Sequence, residues 1–248
     1  MLPVVVGTVW LGGWFFAGLT ALVAGLMYWE WQGIGGIKGG RANLNAVMCG
    51  IGPLALVAQG SFVAVYCWIL LTAGVFVFGN KGLRAFLTIG MAYILLACIS
   101  LVWLRELDAL GMQTVIWLGA AVVMTDTCAY FTGRTLGGPK LAPKISPKKT
   151  WSGLIGGIVG AAVAGAVVAL AVDASILGVT LASGVLAVIA QIGDLAISKA
   201  KRAFNVKDSS NIIPGHGGVL DRFDGILSAS LAMALLSLLG GGSPLSWL

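Results

Sequence analysis

Apolar residues in this chain come in long runs separated by short polar connections. Each run of about 20 residues is long enough to cross a hydrocarbon core of about 30 Å as a helix. Such runs fall at roughly 13–31, 44–59, 61–79, 84–104, 111–131, 151–172, 174–197 and 223–240. A closed barrel would instead need alternating segments of about ten residues, a pattern the chain lacks. The spacing predicts an all-α fold, a polytopic transmembrane helical bundle of about eight to nine spans. The further apolar run from Pro3 to Leu11 is too short to cross and lacks the charged flank of a signal peptide, so it reads as the remnant of another helix.

Composition agrees with lipid as the main solvent. The chain is 58% hydrophobic and only 10% charged, with a mean hydropathy of +0.98, too little polar surface to clothe a water-soluble globule. No Pro- or Ser-rich linker divides it. It reads as a single integral membrane domain over 1–248, with an N-terminal helical part at 1–110 and a motif-bearing catalytic part at 120–240. Cys49, Cys67, Cys98 and Cys128 each lie in an apolar run without CxxC spacing or a neighbouring histidine, as expected of inert buried thiols.

The net charge of +6 resides in short loops, which fits an anionic membrane surface or substrate better than nucleic acid. Strict alternation through eight spans puts Lys38, Arg41, Lys81, Arg84, Arg134 to Lys149 and Lys199 to Arg222 on one side. Positive loops stay in the cytoplasm, so that side faces inward. Arg105 is the basic exception, sharing the other side with Glu106, Asp108 and Asp173. The sizeable polar segments, about 132–150 and 198–222, are both on the inner side, where a polar active-site cavity is expected.

Four of the nine acidic residues lie between Gln191 and Gly225: Asp194, Asp208, Asp221 and Asp224. Asp194 ends an apolar span, where an ionised carboxylate is costly unless paired or bound to a cation. Ser198 and Lys201, at i+4 and i+7, share its helical face. Asp221 and Asp224 open the last span on one face. Helix capping is the structural alternative for the pair, and for Asp224 alone it accounts as readily as metal binding, but capping does not account for Asp194. Carboxylates without clustered histidines or cysteines suit a hard cation such as Mg²⁺, with room for a second cation. The turn Pro214-Gly215-His216-Gly217-Gly218 presents backbone N–H groups as a phosphate cradle would, amid Lys201, Arg202, Lys207 and Arg222. Positive-inside topology alone would explain some of these basic residues.

A second concentration begins at Asp126, inside an apolar run and four residues before Tyr130. It continues through a basic loop containing Lys140, Lys144, Ser146, Lys148 and Lys149. Prolines at 139, 143 and 147 stiffen that loop beyond what a topological anchor needs, as in a folded lip over a site. Span six carries Gly153, Gly156, Gly157, Gly160 and Gly165. Small residues at i, i+4 let helices approach closely within or between chains, which leaves room for a homodimer.

These stretches resemble the phosphatidate cytidylyltransferase family, also called CDP-diacylglycerol synthases. The resemblance runs through Ser198, Lys201, Arg202, Lys207, Asp208, Ser210, Pro214, His216, Gly217, Gly218, Asp221, Arg222 and Asp224, with the blocks from Asp126 and Lys140 upstream in the expected order. Ser152 stands where the family usually carries Glu, and Ala200 where it has a bulkier apolar residue. The resemblance implies transfer of CMP from CTP to phosphatidic acid at the inner face of a bacterial inner membrane. It implies Asp194, Asp221, Asp224 and Asp126 around Mg²⁺. Lys201, Arg202 and His216 would join Asp194 and Asp221 in catalysis, and Lys144, Ser146, Lys148, Ser198, Lys207, Gly217, Gly218 and Arg222 would hold the substrates. A different lipid acceptor for the same CTP chemistry, or a transporter, are the competing expectations.

Overall fold

A computed structural model describes residues 2–59, 82–212, 215 and 217–248. The described chain is a succession of helices: α1 (Leu2–Leu11), α2 (Gly13–Ile34), α3 (Gly40–Gln59), α4 (Arg84–Arg105), α5 (Gly111–Thr135), α6 (Trp151–Ala171), α7 (Ile176–Ala203) and α8 (Leu220–Gly240). A short hairpin, β1 (Lys140–Ala142) and β2 (Ser146–Thr150), separates α5 from α6, and a single 3-10 turn, Pro244–Ser246, follows α8. Helices dominate because a backbone without water must satisfy its own N–H and C=O groups within the segment. Five of the described helices, α4 to α8, are long and apolar enough to cross a membrane, and the chain is an integral membrane protein. The expected span at 61–79, with Cys67 and Lys81, lies outside the described residues.

Elsewhere most helices extend the expected spans, although α6 stops one residue short and α7 starts two residues late. The largest extension is α7, which continues through Lys201 and Arg202 to Ala203 where a loop is expected after 197. Two cations in a last turn complement the negative end of the helix dipole, so the charge that suggests a loop also favours the helix.

The chain forms two compact units, Met1–Glu106 with Ala203–Phe223, and Leu107–Arg202 with Asp224–Leu248. In the first, α2 packs against α3 and α4. Gln32, fully buried on α2, donates to the Ala42 carbonyl at 3.1 Å and accepts from Asn45 at 3.0 Å. The Trp31 ring stacks on Phe86 at 4.3 Å, and Phe86 in turn meets Phe204 at 4.5 Å. This aromatic row fastens the start of the 203–223 segment to α2 and α4.

In the second unit, α5 and α6 form the most extensive helix pair, and the glycines of α6 explain why. A Cβ on Gly153, Gly157 or Gly160 would stand 2.9 Å from the carbonyl oxygens of Ala129, Thr125 and Met124 respectively. Only hydrogen side chains let the backbones approach this closely. The glycine face thus packs within the chain. Thr150 caps α6 by accepting from the Gly153 N–H at 3.1 Å. The buried indole of Trp117 donates to Ser183 on α7 at 2.8 Å.

Candidate active site

The lysine-rich loop after α5 folds back on itself. In the hairpin Lys140 pairs with Thr150 and Ala142 with Ser146, and the Trp151 N–H donates to the Pro139 carbonyl at 3.1 Å. Gly137 and Gly138 turn the chain at φ 61° and 103°, where a side chain would be strained. Ser152 donates to the Gly137 carbonyl and lies 3.0 Å from the Thr150 hydroxyl. Serine in place of glutamate therefore ties the base of the hairpin to the first turn of α6. The folded hairpin leaves Lys144 and Lys148 exposed and Ser146 and Lys149 half-buried.

Within this second unit the polar residues of three helices and the hairpin converge. Lys149, at the end of β2, forms an ion pair with Asp194 of α7 and donates to the Gln191 side-chain carbonyl at 2.8 Å. Gln191 in turn donates to Asp126 of α5 at 3.2 Å. One turn beyond Asp194, Ser198 donates to it at 3.2 Å, as the i, i+4 spacing predicts. The Asp224 carboxyl of α8 lies within hydrogen-bonding reach of Asp194 and within electrostatic reach of Asp126. Arg202, near the end of α7, donates from Nε to the Ile145 carbonyl in the hairpin turn at 3.4 Å.

Bringing Asp126, Asp194 and Asp224 together costs electrostatic energy that nearby positive charge offsets. Lys149 supplies one positive charge. The donors around it, carboxylate, amide and hydroxyl oxygens, are those a hard divalent cation prefers. Among the described residues no three His, Cys, Asp or Glu side chains form a ready-made cage. Mg²⁺ needs none, because it is usually held by one or two carboxylates while keeping water and substrate phosphates as its other ligands. The Asp194 and Asp224 pair fits that requirement.

The first unit contains the other half of the sequence motif. Asp221, in the first turn of α8, accepts at one oxygen from the Ser209 N–H at 2.9 Å, the Ser209 hydroxyl at 3.0 Å and the Gly218 N–H at 3.0 Å. The backbone N–H of Gly218, expected to cradle phosphate, is thus turned toward a carboxylate of the same segment. Lys207 and Arg222 are exposed, Lys201 is buried on α7, and Gly217 adopts φ 81°. His216 and Pro214 lie outside the described residues.

Sequence reasoning named Lys149 and Gln191 but assigned neither a place in the site. One of several lysines in a loop carries no mark of its own, although position 149 directly precedes the Thr150 cap. It passed over Glu30 altogether, a carboxylate 1% exposed on α2. The signal was available, since an acidic residue inside an apolar run is functional or structural by default.

The fold and site define a helical integral membrane protein with a carboxylate-rich polar cluster. The chain matches the family described as the cytidylyltransferase family over residues 1–239, and it belongs to that family. The match extends the resemblance from the C-terminal half to nearly the whole chain. It is 38% identical over 246 residues to the phosphatidate cytidylyltransferase of Brucella suis biovar 1 (strain 1330), covering 96% of this chain and 90% of the relative. The phosphatidate cytidylyltransferase of Bacillus subtilis (strain 168) is 38% identical over 173 residues, 69% of this chain and 63% of the relative. That of Rickettsia bellii (strain RML369-C) is 49% identical over 110 residues, 41% and 48% of the two chains.

Proposed function

We propose that this chain transfers CMP from CTP to phosphatidic acid, forming CDP-diacylglycerol and releasing pyrophosphate. The names and coverage of the bacterial relatives support the choice of reaction. The convergence of Asp126, Asp194 and Asp224 with Lys149 is the observation that carries the chemistry.

In the proposed reaction an oxygen of the phosphatidate phosphate attacks the α-phosphorus of CTP. The new P–O bond forms as the bond to the β-phosphate breaks, and pyrophosphate leaves with the electron pair. The nucleophile is already anionic, so no activated serine or cysteine is needed, and catalysis rests on positioning and charge neutralisation. Asp194 and Asp224 would hold Mg²⁺, with Asp126 as a further ligand; Asp221 is also a candidate to hold a divalent cation. Bound there, the ion would neutralise charge on the CTP phosphates. Lys144, Lys148, Lys201, Arg202, Lys207, Arg222 and His216 are the candidates to contact phosphates, with Ser146, Ser198, Gly217 and Gly218 completing the substrate contacts. Lys149 holds Asp194 in place and keeps the cluster from repelling itself apart.

In this reading the chain crosses a bacterial inner membrane eight to nine times, with a polar cavity open to the cytoplasm. CTP is a cytosolic solute and phosphatidate is a leaflet lipid, so only the inner surface admits both. The test is purified protein in detergent with labelled CTP, phosphatidate and Mg²⁺, scored for CDP-diacylglycerol, with other lipid phosphates as alternative acceptors. Product is expected with phosphatidate, and Asp194→Asn should abolish it. Absence of product with every lipid phosphate would sink the reading, and full activity of Asp194→Asn would remove the metal site from it.

A further inference from the structure

Glu30 is an ionisable group in an apolar helix, and the chemistry above gives it no task. It lies on α2, 1% exposed, and its carboxylate faces the 203–223 segment of its own unit. One oxygen accepts from the Ser210 hydroxyl at 2.6 Å and the Val219 N–H at 2.8 Å. The other accepts from the Leu220 N–H at 2.7 Å and lies 3.0 Å from the Ser209 hydroxyl, whose single proton it shares with Asp221. These donors hold the buried carboxylate in place, and two of them are backbone groups at the N-terminus of α8, where the dipole favours an anion.

The same donors lead directly to Asp221. The Ser209 hydroxyl is 3.0 Å from both the Glu30 and Asp221 carboxylates. Gly218 donates to Asp221, and a Cβ there would stand 2.7 Å from both Glu30 oxygens and would also strike the Ser209 hydroxyl. Glycine at 218 is therefore required by the seat that Glu30 occupies, in addition to any contact with substrate. The segment between Ser209 and Asp221 is fastened at its first serines and at the helix start by a single side chain from α2.

We infer that Glu30 is a positioning residue that fixes Ser209, Ser210 and the start of α8 and, through Ser209 and Gly218, the direction of the Asp221 carboxylate. This rests on the proposed role of Asp221 as a ligand of a divalent cation. Glu30→Gln turns one acceptor oxygen into a donor facing two donors, with little change of volume. Ser209→Ala removes the hydroxyl that touches both carboxylates and is the smaller lesion.

Hydrogen exchange in detergent, without nucleotide or metal, reads the positioning itself. In Glu30→Gln the amides of Ser209, Gly218, Val219 and Leu220 should exchange about tenfold faster or more, with the rest of α2 and α8 protected as in wild type. Ser209→Ala should act in the same direction but less. The Mg²⁺ concentration for half-maximal transfer should rise about 10- to 100-fold in Glu30→Gln, the range seen when a group orienting a metal ligand is lost. Unchanged exchange in 209–221 together with an unchanged Mg²⁺ midpoint in both variants would overturn the inference. So would faster exchange spread evenly over all helices with the midpoint unmoved, which assigns Glu30 to general stability. If Glu30→Gln cannot be recovered folded, Ser209→Ala decides on the same two readouts. A wild-type protein without transfer activity would sink the functional reading instead, and the exchange data would still judge Glu30.

Discussion

The Lys149 ammonium and the Asp194 carboxylate form an ion pair that joins the end of the hairpin to the middle of α7. The same nitrogen bonds Gln191, which bonds Asp126, so one lysine organises two of the three clustered carboxylates. Lys149 is thus a built-in counter-ion for the carboxylates that the proposed function assigns to a divalent cation. Removing it should leave Asp194 more available to a metal. Lys149→Met is expected to tighten binding of Mn²⁺, measured by electron paramagnetic resonance without nucleotide, by on the order of tenfold, equivalent to about 1.4 kcal/mol. Transfer activity should fall in the same variant, because the hairpin loses its tie to α7. Weaker Mn²⁺ binding would show that Lys149 supports the cation site and does not compete for it.

Gln191 is buried, and its amide satisfies a lysine and an aspartate at once. Gln191→Leu keeps the approximate volume and removes both bonds, leaving Lys149 and Asp126 each short of a partner. A loss of about 1–3 kcal/mol in stability is expected, read as a lower unfolding midpoint in detergent. Gln191→Glu should still accept from Lys149 but sets an anion against Asp126. Its activity should therefore need less Mg²⁺ than wild type, because the added negative charge attracts the cation, and an unchanged requirement would separate Gln191 from the carboxylate cluster.

Much of this was legible because lipid simplifies the code. Apolar runs mark helices directly, and the glycine spacing of α6 announces a close helix contact before its partner is known. The i, i+4 relation of Asp194 and Ser198 also survives folding unchanged, since it is a property of one helix. What escaped depends on which segments meet. Lys149 and its neighbouring lysines are indistinguishable until the hairpin register chooses one. Glu30 gains meaning only when Ser209, Ser210 and the start of α8, about 180 residues away, are brought to it. Ser152 likewise shows its role only through the Gly137 carbonyl it bonds, 15 residues earlier in the chain.

The α5–α6 contact predicts a sharp difference between glycines that look alike in sequence. Gly157→Ala would place a methyl group 2.9 Å from the Thr125 carbonyl and 3.1 Å from the Thr125 methyl group. Because two backbones must separate to admit it, a loss of about 1–3 kcal/mol is expected. Gly119→Ala on α5 meets nothing within 4 Å and should be neutral or stabilising by up to about 1 kcal/mol through helix propensity. Thermal unfolding of both variants in one detergent makes the comparison, and equal midpoints would contradict the packing described.

Arg105, the basic exception to the expected alternation of loop charge, is tied to the joint between α1 and α2. Its Nε donates to the Val9 carbonyl at 2.6 Å and a terminal nitrogen donates to the Trp10 carbonyl at 3.1 Å. Its neighbour Glu106 accepts from the Gly13 N–H at 2.9 Å. Between these two, the chain turns at Gly12 and Gly13 with φ 64° and 47°, which separates α1 from α2. The last carbonyls of α1 and the first N–H of α2, orphaned by that break, are satisfied by the end of α4. Arg105→Met should therefore release α1 alone, with exchange rising over residues 2–11 while α2 and α4 stay protected. Transfer activity should remain near wild type, since none of the proposed substrate or metal contacts changes. Glu106→Gln keeps a carbonyl oxygen for Gly13 and should be the milder of the two. A collapse of activity in Arg105→Met with α1 still protected would mean that Arg105 serves the reaction and not the joint.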